Sequence, residues 1–260
     1  MDQNTRERVR NILTDMLDRI IRKRTVTEPV TEEAIQLNNP FGYLLVPFEI
    51  WKASKFERSF VTSLGQTCFE QIAVAIAEGT GALAERQHKE NVELNSWRIE
   101  EIENILRSQR ANESTPDWAG EVKRILSLNT PRIQTIRVHF DLYVRRTSGQ
   151  EEYYSIKTVK PNLDQTETAK KDMLHIKAAK PESKAFFALP FNPAGENHYR
   201  TAHSIPYQLL NMDDTECVLI GRDFWNAIGD NENTYTELME IFAEVGETYS
   251  PRIRREFLES

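Results

Sequence analysis

The sequence predicts a single mixed α/β domain of the α+β kind over residues 1–260, a central mixed sheet flanked by helices. Three observations predict it. Long segments near both ends carry apolar residues at helical spacing. The middle carries two alternating strands joined by a short turn, with further short strands after them. No internal repeat and no Gly/Ser-rich linker divides the chain.

The elements follow in order. Val9, Ile12, Leu13, Met16, Leu17, Ile20 and Ile21 form one stripe of a helix over 5–24, a peripheral or dimerisation element whose stripe faces the core or a second chain. Residues 25–53 begin as loop and end in the apolar FGYLLVPFEIW. A helix over 54–78 repeats Phe56, Phe60, Leu64, Cys68, Ile72 and Ile76, and Gly79 and Gly81 close it. A polar helix is expected over 84–110, then the loop ANESTPDW and a short helix near 118–127. The two strands lie between 136 and 159. NLDQTETAKKDMLHIKAAKP is a helix, with Asp164 as N-cap and Pro181 past its end. KAFFALPFNP is a strand, TECVLIGRDFWNAIG a strand, turn and helix, and TYTELMEIFAEVGETY a helix. The tail SPRIRREFLES adds one more.

Composition bounds the function. Hydrophobic residues at 39% and charged residues at 28% describe a folded chain, not a disordered one. No run of 18 apolar residues offers a membrane span, and the polar N-terminus lacks the core of a secretory signal. Cys68 and Cys217 have no metal-type spacing; they read as buried thiols in a reducing, cytoplasmic setting, without zinc. A net charge of -7 argues against general nucleic-acid affinity but not against a local basic surface. Residues 157–184 hold seven lysines against four acids, which by composition alone is a solvated helix face.

The hairpin FDLYVRRTSGQEEYYSIKTVKPN carries the chemistry. Strand side chains alternate. Ile136, Val138, Phe140, Leu142 and Val144 share one face of the first strand; Arg137, His139, Asp141 and Tyr143 share the other. Tyr153, Ser155, Lys157 and Val159 share one face of the second. Asp141, Ser155 and Lys157 therefore meet on one side of the sheet. The plain reading is a solvated cross-strand ion pair. The functional reading is a phosphodiesterase site. Aspartate supplies oxygen to Mg²⁺, the cation offsets phosphate charge and activates water, and an ammonium steadies the transition state.

Asp141, followed on the next strand by Ser155-Ile156-Lys157, resembles the PD-(D/E)xK nuclease signature. No proline precedes Asp141, and Ser155 stands where the second carboxylate usually does. A Ser-x-Lys variant of this kind takes its missing acid from a downstream helix, which makes Glu167 or Asp172 the candidate. Glu167 also suits a capping box with Asp164. Pro116-Asp117 is a literal PD, but it sits in turn and helix-start chemistry. FERSFVTSLGQTCFEQIA, SIKTVKPN, FNPAGENHYR and VLIGRDFWNAIGDNENTYTELMEIF resemble, in the same order, the small type II restriction endonucleases of the TdeIII-type family. The likeness spans most of residues 40–245. It implies a restriction-endonuclease-like core and a Mg²⁺-dependent, site-specific cut in double-stranded DNA that leaves 5′-phosphates. It also implies a homodimer on a short palindrome of the GGNCC kind and a cognate methyltransferase. A glutamate from an early helix commonly joins such a site; Glu70 in CFEQIA is the candidate, with Glu57 second.

Lys160, Asn162, Gln165, Lys170, Lys171 and Arg200 are the DNA-binding candidates. Asn and Gln can pair with adenine, Lys with guanine or phosphate, and a helix N-terminus attracts phosphate. Each alone also fits ordinary surface. Asn192 shapes a turn, and Phe224, Trp225 and Ile228 fit a core-facing helix start. Two rival readings remain: a non-catalytic protein-binding module with Asp141–Lys157 as a structural pair, and a nuclease of the same fold acting in DNA repair.

Overall fold

In the computed structural model, which describes residues 1–259, the chain forms two compact units: residues 1–75 together with 236 onward, and residues 76–235.

The first unit is helical. α1 (Gln3–Arg22) is capped by Asp2, whose carboxylate accepts from the Thr5 N–H at 2.7 Å. Its apolar stripe from Val9 to Ile21 lies inside the unit. Residues expected to begin as loop form α2 (Glu32–Asn38), capped by Thr31, and α3 (Pro40–Leu45). α4 (Phe48–Ser63) starts six residues before the expected Ser54, directly after Pro47, and runs through a π turn into α5 (Phe69–Gly79). By length and composition alone Phe48–Gly79 could cross a membrane. Its two halves differ: Ile72, Ala73, Ala75, Ile76 and Ala77 are buried, whereas no residue of α4 is.

The second unit begins with β1 (Leu83–Asn95), α6 (Ser96–Arg110) and α7 (Trp118–Leu126). β2 (Ile133–Arg145) and β3 (Glu151–Ile156) follow, then α8 (Leu163–Ala179), β4 (Lys184–Leu189), β5 (Val218–Ile220) and α9 (Arg222–Gly229). α10 (Thr234–Ile253) leads back to the first unit, and 254–258 continues it as a π turn. The five strands form one mixed sheet in the order β1-β2-β3-β4-β5; the first two pairings are antiparallel and the last two parallel. α8 is the crossover that parallel β3 and β4 require. It packs its apolar side on the sheet, with Ala169, Met173, Leu174 and Ile176 buried. The expected mixed α/β architecture is present.

Two sequence expectations are corrected. The polar helix over 84–110 is a strand and a helix, divided at Asn95, whose side chain accepts from the Arg98 N–H at 3.1 Å and caps α6. Glu, Arg, Gln and Lys favour a helix over 85–93, but pairing with β2 from Leu83↔Arg145 to Asn95↔Ile133 overrides that preference. The single apolar face expected from Ile136 to Val144 is also broken. Phe140 packs on Tyr153, ring centroids 5.1 Å apart, within the core beneath α6, α7 and α8. Leu142 pairs with Tyr154, whose ring lies instead against Phe186 and Phe224. The switch falls at Asp141. Across from it in β1, between the pairs Arg86↔Leu142 and His88↔Phe140, Gln87 has φ 53, a left-handed conformation uncommon for this residue type.

Candidate active site

β3 ends at Ile156, while β2 continues past it toward Ile133. This difference in length opens one end of the sheet. Lys157 follows β3 directly, and its N–H donates to the Ala188 carbonyl at 2.9 Å. The lysine is thus fixed by β4 at its backbone. Its ammonium donates to Oδ2 of Asp141 at 2.7 Å, with both side chains about a fifth exposed, 22% and 16%. Ser155 is buried one register step away, paired with Phe187.

α8 brings a second acid to the same end. Oδ2 of Asp172 lies 3.4 Å from the His139 N–H, a β2 donor beyond the reach of β3. Burial pushes the Asp172 pKa up to about 6, and the Asp141 charge adds to the rise; the His139 bond and the Lys157 charge oppose it. Asp141 and Asp172, two carboxylates near one ammonium at this end of the sheet, supply the oxygen donors that suit a hard divalent cation. Mg²⁺ is commonly held by one or two carboxylates together with substrate phosphates and water. Among the described residues, no group of three or more His, Cys, Asp or Glu is arranged to hold a metal alone.

The other candidates have settings of their own. Glu167 and Asp164 both pair with Arg110. Glu70 is buried in the helical unit, 6% exposed, and Glu57 is on the surface. Asn162, not Asp164, caps α8. Its side chain accepts from the Gln165 N–H at 2.8 Å, and Gln165 accepts from the Asn162 N–H at 3.0 Å, a complete capping box. Lys170 is fully buried and not on a surface. Its ammonium donates to Gln109 at 2.8 Å, to Glu121 at 2.7 Å and to the Leu209 carbonyl at 2.7 Å. Burial pulls its pKa down and Glu121 holds it up. Lys171 pairs with Glu103, and the Arg200 guanidinium stacks on Tyr207, 3.8 Å from the ring centre. Lys160 is exposed in the loop before α8. Asp117 caps α7, and Asn192 bonds the Asn197 carbonyl within its turn, both as expected. Phe224, Trp225 and Ile228 are buried, and the indole of Trp225 donates to the Pro190 carbonyl at 2.8 Å.

Asp172 was visible in the sequence only as an alternative to Glu167. Its signal is an acid set in the apolar stripe Ala169-Met173-Ile176 of a helix. Gln87 gave no signal, because its strand reads as helix.

Comparison with known proteins identifies the family. The sequence profile of the HinfI type II restriction endonucleases matches residues 5–246. Type II restriction enzyme HgiCII of Herpetosiphon aurantiacus is 35% identical over 228 residues, 84% of this chain and 81% of that protein. HgiEI of the same organism is 33% identical over 229 residues, 85% of this chain and 81% of its own length. The type II restriction enzyme MjaII of Methanocaldococcus jannaschii is 24% identical over 208 residues, 74% of this chain and 54% of that protein. This chain therefore belongs to the HinfI family of type II restriction endonucleases, enzymes that cut double-stranded DNA at specific sites.

Proposed function

We propose that this enzyme hydrolyses phosphodiester bonds at a short palindromic site of the GGNCC kind, with Mg²⁺, leaving 5′-phosphates. The observation that carries the reading is the Lys157–Asp141 contact of 2.7 Å at the open end of β3, with the half-buried carboxylate of Asp172 near it. It is a PD-(D/E)xK arrangement in which Ser155 has no charge and α8 supplies the second acid. Asp141 and Asp172 would hold the cation, which supplies charge neutralisation at the phosphate and a more acidic water. Lys157 orients the attacking water and offsets charge that develops on the phosphoryl oxygens. Burial around Ser155 and Tyr153 excludes bulk water from that side and strengthens both effects.

A two-fold DNA site calls for two copies of the chain, each cutting one strand. The same reading includes a cognate methyltransferase that protects host DNA, a cytoplasmic setting, and a TdeIII-like subgroup carried by residues 155–162 and 218–242.

The test is cleavage of phage DNA in Mg²⁺, with EDTA as control, for wild type, Lys157→Ala, Asp172→Asn and Glu167→Gln. Discrete bands are expected from wild type and from Glu167→Gln. The Lys157 and Asp172 variants should lose about a hundred- to a thousandfold in rate while keeping their circular dichroism, the scale of losing a key electrostatic group. Full activity of Asp172→Asn would remove the second acid from the site. A ladder without fixed ends would point to a repair-type nuclease.

A further inference from the structure

Beyond Asp141, β1 and β2 continue as a two-stranded ribbon with no third strand beside them. Eight pairs, from His88↔Phe140 to Asn95↔Ile133, make it about 25 Å long. Its inner side is core: Val92, Leu94, Val138 and Phe140 are buried. Its outer side is exposed and polar up to the Glu93↔Thr135 pair, beyond which Ile133 and the buried Asn95 end it. Lys89 and His139 face each other nearest the site, and Asn91 and Arg137 face each other one step further on, about 7 Å away. Among the described residues, neither Lys89 nor Arg137 has an ion-pair or side-chain hydrogen-bond partner. Elsewhere on this unit Arg110, Arg124, Lys171 and Lys180 are each matched to an acid, as expected for a chain of net charge -7. The end of the ribbon nearest the site is therefore a local exception to the charge of the molecule; the acid of this face, Glu93, lies further out, opposite Thr135. His139 also ties it to the site: its backbone N–H faces Asp172, and its Nε2 lies 3.0 Å from Oε1 of Gln87, the left-handed residue opposite Asp141.

We infer that this outer face is the DNA-reading surface of the enzyme, and that Asn91 and Arg137 set its sequence preference. The inference rests on the nuclease reading above and assigns that site its substrate contacts. A two-stranded ribbon fits the major groove of B-DNA. Arg137 has the forked donors that recognise guanine, and the Asn91 amide has a donor for guanine and an acceptor for the cytosine amine. Lys89 and His139, beside the carboxylates, contact the backbone phosphates next to the cut. The competing explanation is that these polar side chains only keep an edge strand from pairing with another molecule.

The experiment uses the full chain and binding in EDTA, so that binding is read apart from cleavage. The wild-type cleavage ends define the site. Fluorescence anisotropy then compares a labelled duplex carrying that site with a scrambled duplex, for wild type, Lys89→Ala, Asn91→Ala, Arg137→Ala and Arg137→Lys. The Asn91→Ala and Arg137→Ala variants should lose about ten- to a hundredfold on the cognate duplex and much less on the scrambled one. Arg137→Lys should lose preference between the duplexes while keeping scrambled-duplex affinity, which separates reading from folding. Lys89→Ala should weaken both duplexes alike and lower the salt slope by about one. Unchanged affinity of all four variants for both duplexes, from a wild type that cuts, would overturn the ribbon alone and leave the nuclease. A wild type that cuts no DNA would overturn both.

Discussion

His175, three residues beyond Asp172 on α8, is 3% exposed, and neither ring nitrogen has a hydrogen-bond partner. Burial, with Lys171 adding to it and Glu103 opposing, pulls its pKa down to about 4. The unfolded chain takes up this proton near pH 6.5, and the folded one does not until about 4. The contribution of His175 to stability is therefore complete above pH 6.5 and is lost as the pH falls from there through 4. Between pH 7 and 5 this one group should remove about 2 kcal/mol. Urea unfolding in EDTA at the two pH values checks it: His175→Leu should lose about that much less than wild type. Equal losses would mean the imidazole is solvated. Lys170 makes the converse point, since three acceptors let a lysine stay in the core where an unpaired ammonium could not. Its place in a lysine-rich stretch gave no hint of burial, because Gln109 and Glu121 come from distant parts of the chain.

At the scale of elements, α8 is held at its start by the Asn162–Gln165 box. Both side chains serve their own backbone, so Asn162→Ala should cost about 1 kcal/mol of stability. DNA affinity should change by less than about threefold, a small part of the range that a base-reading contact commands. A larger drop in affinity than in stability would return Asn162 to the interface. The hairpin and its Asp141–Lys157 pair were legible because alternation and turn chemistry are local. β1 was not, because its residues prefer helix and only the distant β2 makes them a strand. The face switch at Asp141 was hidden for a related reason: alternation assumes regular strands, and the irregularity lies in Gln87 of the partner strand. Asp172 reaches the site by a crossover whose register periodicity cannot give.

At the scale of the molecule, the helical unit leaves apolar surface open. Leu37, Phe41, Leu44 and Leu45 are 82, 83, 79 and 83% exposed, Ile50 and Val61 over half, and α4 buries none of its residues. Their combined area is of the order of the ~800 Å² that each partner brings to a standard interface. The occupant in keeping with the proposed two-fold cut is a second copy of the chain. Phe41→Asp with Leu44→Asp should halve the mass seen by light scattering and turn double-strand cutting into nicking. An unchanged mass would place the dimer contact elsewhere. The backbone of Lys157 has a consequence for synthesis. That amide is anchored on Ala188, and Asp172 lies on the crossover between them. A chain still emerging from the ribosome owns Asp141 and Lys157 but not the strand that sets them. On the proposed mechanism, a nascent chain should not cut DNA until residue 188 has joined the sheet.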